Sequence, residues 1–162
     1  MKAIFKIVPL LAATCYILFG FAKATGSTPI KCMIQMSNYI GEGAYVVISL
    51  INPEGAYEGT LYVQGKDKEW YSDITTWWKF YGKHRSDIDA ISGETISGGE
   101  RTVSVINIEN DKINTGYSIR FETAVEDQEY YKNDVQFKLT SESIISKVEG
   151  KGFIRYIRML PQ

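Results

Sequence analysis

The chain has 162 residues, with 18 lysines and arginines against 19 acids and a formal charge of −1. That balance, without a clustered basic face, argues against an electrostatic nucleic-acid binder, whose phosphate contacts demand a basic excess. One histidine and two cysteines are too few for a Cys/His metal cage or a convincing serine-type triad, so no independent catalytic activity is expected.

At the N-terminus, Lys2 and Lys6 flank a charged start that gives way to an apolar run from Ile7 to Phe21, closed by the small-x-small sequence Ala22-Lys23-Ala24. The run has the length of a signal-peptide core and lacks the stop-transfer flank of an uncleaved anchor, the competing reading. Residues 1–24 are therefore read as a cleaved signal peptide and residues 25–162 as one exported, extracytoplasmic domain, not membrane-spanning after cleavage. Cleavage leaves 138 of 162 residues, enough for a single core, and removes Lys2, Lys6 and Lys23, which moves the formal charge from −1 to −4. Cys15 leaves with the signal, so Cys32 has no intramolecular disulfide partner. It alternates with Ile34 and Met36 on one strand face, as a small buried hydrophobe does, a redox thiol being the other reading.

From Lys31 the pattern is mostly period two, with turn residues at roughly ten-residue intervals. Strands are expected over Lys31–Ser37, Ala44–Ile51, Tyr57–Gln64, Thr102–Ile108, Tyr117–Val125, Tyr131–Thr140 and Phe153–Met159. In the fifth of these, Tyr117, Ile119, Phe121, Thr123 and Val125 alternate with Ser118, Arg120, Glu122 and Ala124, which predicts one buried and one wet face. Asp73–Phe80 breaks the alternation and reads as one or two helical turns capped by Asp73. The expected fold is all-β, an immunoglobulin-like antiparallel β-sandwich of about seven strands with one short helical or loop insertion.

The insertion, Trp70 to Glu100, carries the functional question, because a rigid scaffold can hold a loop whose residues need not pack. Trp70, Trp77 and Trp78 with Tyr71, Phe80 and Tyr81 are open to two readings. They form a wall on which a planar ring stacks, or they close one end of the sandwich core. His84 reads as a surface residue.

The run Trp70-x-x-Asp73-x-x-x-Trp77-Trp78, followed by Asp89-Ala90-x-Ser92-Gly93-x-Thr95 and a glycine turn, resembles the predicted periplasmic family with domain of unknown function 2271 (DUF2271). Asp89-Ala90-Ile91-Ser92-Gly93-Glu94-Thr95 is also similar to the sequence by which extracytosolic flavoproteins accept flavin mononucleotide (FMN) as a phosphoester on the last threonine. The resemblance implies covalent FMN on Thr95, a loop shaped by Asp89, Ser92 and Gly93 beside Trp77 and Trp78, and two partners, a flavin transferase and a membrane redox protein. Glu94 stands where that pattern has alanine, and its carboxylate adds like charge beside a phosphate. Without a ligand, Ser92 and Thr95 are ordinary loop hydroxyls bonding neighbouring backbone. Two functional classes follow: an extracytoplasmic, flavin-carrying electron-transfer accessory, or a non-catalytic immunoglobulin-like binding and assembly module of the cell envelope.

Overall fold

The computed structural model describes residues 26–81 and 92–161. The signal-peptide reading of residues 1–24, and the readings of His84 and Asp89, therefore lie outside the described residues.

Two sheets face each other. One runs β5 (Arg101–Glu109), β1 (Ser27–Met36), β9 (Ile154–Pro161), β8 (Lys147–Glu149); the other runs β4 (Ser92–Gly93), β3 (Tyr57–Gln64), β2 (Tyr45–Ile51), β6 (Ser118–Ala124), β7 (Tyr131–Lys138). Every pairing is antiparallel except the two-residue parallel contact of β4 with β3. The expected two-sheet, all-β sandwich is what the chain forms.

Alternation builds the inter-sheet core. Ile30, Cys32, Ile34 and Met36 of β1, with Ile106 and Ile108 of β5 and Ile157 of β9, meet Val46, Ile48 and Leu50 of β2, Ile119 and Phe121 of β6 and Val135 of β7. Each such side chain contributes roughly 1.5–3 kcal/mol of transfer free energy when fully buried. Cys32 is the buried hydrophobe: burial pushes its thiol up to about 12, which removes the thiolate needed for redox chemistry. β1 starts at Ser27, earlier than the expected Lys31, because Ser27–Pro29 pair with β5 alone before β9 joins at Ile30.

One expectation is corrected. All seven residues of β6 are buried, so its second face is not wet. A 3₁₀ turn at Lys68–Asp73 and α1 (Thr75–Tyr81) lie over that face and make a second core in which Tyr71, Ile74, Trp77 and Tyr81 cover Val47, Val63 and Ala124. Asp67 caps the 3₁₀ turn, its side chain accepting from the Glu69 amide at 3.1 Å. The molecule thus has three layers where the alternation of β6 alone suggested two.

Asp134, fully buried on β7, ties the sheets together. Its carboxylate accepts from the Thr123 hydroxyl (2.7 Å) and from the amides of Lys151, Gly152 and Ile154 (2.9, 2.8 and 2.9 Å), so β7 is locked to the turn between β8 and β9 in the opposite sheet. A Cβ on Gly152 would collide with the Tyr131 ring, so only glycine allows this close approach.

Candidate functional site

The loop after β4 is held on both sides of Thr95. Before it, the Gly65 amide donates to the Gly93 carbonyl at 2.5 Å and the Gln64 side-chain amide donates to the Glu94 carbonyl. After it, Ala44 and Ile96 exchange two backbone hydrogen bonds, of 2.7 and 3.1 Å, and the Tyr39 hydroxyl donates to the Ile96 carbonyl at 2.6 Å. Thr95 itself is exposed between these two anchors. A Cβ on Gly43 would stand 2.5 Å from the Thr95 hydroxyl oxygen, so the missing side chain leaves that oxygen its space.

Thr95 borders a depression of about 140 Å³ whose walls include Tyr45 and Trp70 and whose rim carries Glu42, Asp73 and Glu126. Trp70 retains 36 % of its surface. Burial and the neighbouring carboxylates Asp67, Asp73 and Glu126 raise the Tyr45 hydroxyl's pKa, so the depression is aromatic and electronegative. Glu94 does not line it; its carboxylate is paired with Lys66 on the outside of the loop.

Of the site residues expected from sequence, Thr95 alone lines this depression, while Ser92 and Gly93 are placed by the parallel pairing with Val63 and Gln64. Trp77 is elsewhere. It is fully buried in the second core, stacked on Tyr81 (4.9 Å, 14°), edge-on to Tyr71, with its indole N–H donated to the Thr60 hydroxyl at 2.9 Å. Trp78 is half-buried beside it and is not among the residues lining the depression. The aromatic groups next to Thr95 are Tyr45 and Trp70. Trp70 was already in the sequence cluster; Tyr45, fifty residues from Thr95, reaches it through the β2–β3–β4 pairing, which no local spacing reveals.

Sequence reasoning also missed a buried polar cluster under α1. Glu122 of β6 is fully buried and accepts from the hydroxyls of Tyr57 and Tyr130. The Arg120 guanidinium lies 5.2 Å from the Tyr57 ring centre, with its Nε donated to Gln136 at 2.9 Å, and Phe80 of α1 stacks on Tyr57 at 5.1 Å. Burial raises the Glu122 carboxyl above the usual range, opposed by the two tyrosine hydrogen bonds and by the charges of Arg120 and Lys132. Burial and the same carboxylate push both tyrosine hydroxyls well up, so they stay protonated donors.

Among the described residues no helix is long and apolar enough to cross a membrane, and no group of three His, Cys, Asp or Glu is placed to hold a metal ion. Compared with known families, residues 27–156 match the model described as "Predicted periplasmic protein (DUF2271)". No curated protein and no solved structure matches the chain.

Proposed function

Because the chain belongs to this family of predicted periplasmic proteins, we propose that it is an extracytoplasmic carrier, exported by a leader cleaved after Ala24, that displays Thr95 as the attachment point for FMN. The observation that carries the reading is the placement of Thr95. It is exposed, clamped on both sides and next to Tyr45 and Trp70, while the neighbouring Glu94 is turned onto Lys66.

The residues present fit a surface-attached group better than an enclosed one. A depression of about 140 Å³ is well below the roughly 300–1,000 Å³ of sites that bury a whole ligand. Thr95 would supply the ester oxygen. Forming the ester from a flavin dinucleotide breaks the donor's phosphoanhydride, releases the nucleotide half, and sends the hydroxyl proton to a base of the transferase. Tyr45 and Trp70 would offer ring faces, and Gly43 keeps bulk away from the acceptor. Glu42, Asp73 and Glu126 oppose a phosphate by like charge. Bound flavin would supply redox chemistry toward a membrane redox partner.

The test is coexpression of the exported protein with a flavin transferase, read by in-gel flavin fluorescence and intact mass. Wild type is expected to gain one FMN less one water, Thr95→Ala nothing, and Ser92→Ala at least part of the wild-type signal. N-terminal sequencing of the same material should begin at Thr25. No mass gain in cells where a known acceptor is labelled would overturn the flavin reading and leave the binding-module alternative.

A further inference from the structure

Among the described residues, β5 is an unprotected sheet edge. Among the described residues it pairs only with β1, over nine residues without a register shift, and it carries no proline, bulge or central charge of the kind that blunts edges. Two of its side chains, Val103 and Val105, are 57 % and 49 % exposed.

The direction of its free backbone groups follows from the β1 pairing. The bonds Asn110 N–H to Gly26 O (2.9 Å) and Met36 N–H to Glu100 O (3.0 Å) extend the same register past both ends. In an antiparallel pair these mark the hydrogen-bonded positions, which alternate along the strand. The even residues of β5 therefore bond β1, and the N–H and C=O groups of Arg101, Val103, Val105, Asn107 and Glu109 point to the open edge. These same residues turn their side chains outward, away from the core.

We propose that β5 is a self-association edge whose partner is β5 of a second copy of this chain, paired antiparallel about a two-fold axis through Val105. In that register Val105 meets Val105, Val103 meets Asn107, and Arg101 meets Glu109, twice by symmetry. All five outward-directed residues then bond one another, and the outer faces of the two sheets join into one. The sequence is electrostatically self-complementary about this centre: opposite charges sit at the two ends and an apolar pair lies on the axis. Shifting the register by two residues sets Arg101 opposite Asn107 and loses both ion pairs. Arg101 keeps donors for the contact, because among the described residues only its Nε is engaged, with Gln35 at 3.0 Å. The inference is independent of the flavin reading, which concerns Thr95.

Sedimentation equilibrium of the purified protein over a wide concentration range tests it. Wild type is expected to show a monomer–dimer equilibrium. Val105→Lys, which sets two ammonium groups on the axis, should weaken it about tenfold or more, Arg101→Glu should weaken it about tenfold, and Arg101→Glu/Glu109→Arg should restore it. Backbone exchange supplies a second readout: the amides of Val103, Val105 and Asn107 should gain protection with concentration while those of Ser104 and Ile106 stay protected throughout. A chain that remains monomeric at every concentration overturns the proposal. So does a dimer untouched by Val105→Lys and by charge reversal, or an edge occupied by a different protein while this chain stays monomeric.

Discussion

The two faces of the β2–β6 sheet are built from the same strands yet solve burial differently. The inner face packs Val46, Ile48, Ile119 and Phe121 against the opposite sheet, and its one buried carboxylate, Asp134, is held by the Thr123 hydroxyl and three backbone amides. The outer face is buried equally well, under α1, but it includes Glu122, Arg120 and Ser49 among Val47, Ala124, Trp77 and Tyr71. A face that holds charge inside must satisfy it locally, and Tyr57 and Tyr130 do this for Glu122. Inner-face substitutions should therefore fail by volume and polarity, and outer-face substitutions by loss of specific partners.

The largest expected effect is Phe121→Asp. It sets an unpaired carboxylate between the sheets with no donor in reach and should cost more than about 4 kcal/mol, enough to unfold most of the population. Glu122→Lys follows at about 3–5 kcal/mol, because a buried ammonium beside Arg120 and Lys132 would meet like charge with only two neutral tyrosine oxygens to accept from it. Urea denaturation of both variants measures the gap. A mild Glu122→Lys would mean that the outer face is open in solution and that α1 does not cover it.

The difference between the faces also explains what could be read from sequence. Period two located β2, β3, β5, β6, β7 and β9 because their inner positions must be apolar whatever covers the outside. It gave no account of what lies on the other side. Ser118, Arg120 and Glu122 look like solvated positions, and only the return of Lys68–Tyr81 over the sheet, a contact between segments some fifty residues apart, makes them interior. The same long-range return takes Trp77 into a core, and the β2–β3–β4 pairing brings Tyr45 to Thr95. The Thr95 loop could be singled out as a candidate because its glycines and hydroxyls are local features; of the aromatic residues beside it, only Trp70 belonged to the sequence cluster. β8, three residues long, has too little pattern to find.

Acid titration sharpens the comparison further. Burial holds the Glu122 carboxyl above its ordinary value, so protonation is favoured in the folded state. Its contribution to stability is present below the unfolded carboxyl value and is lost as pH rises through the folded one. Glu122→Gln, which cannot ionise, should therefore fall behind wild type most at about pH 4 and draw level or lead near pH 7, with differences within about 1–2 kcal/mol. Urea midpoints across that range measure this. A wild-type advantage that grows with pH would show that the tyrosines, Arg120 and Lys132 outweigh burial. Inner-face variants such as Phe121→Leu should show no such pH trend.

Lys66→Ala is expected to have the smallest effect on stability, within about 0.5 kcal/mol. Lys66 and Glu94 side chains are 67 % and 71 % exposed, where an ion pair is screened and entropy offsets its attraction. Its consequence for the loop should be larger than for the fold. Without Lys66 the Glu94 carboxylate is uncompensated next to Thr95, so in the transferase assay labelling should drop below wild type. Glu94→Ala removes the charge and should raise labelling, and Lys66→Ala/Glu94→Ala should match Glu94→Ala, because Lys66 acts through Glu94 alone. If Lys66→Ala lowers labelling to the same extent in the Glu94→Ala background, the lysine contacts the transferase or the phosphate directly, and the masking role assigned to the pair is wrong.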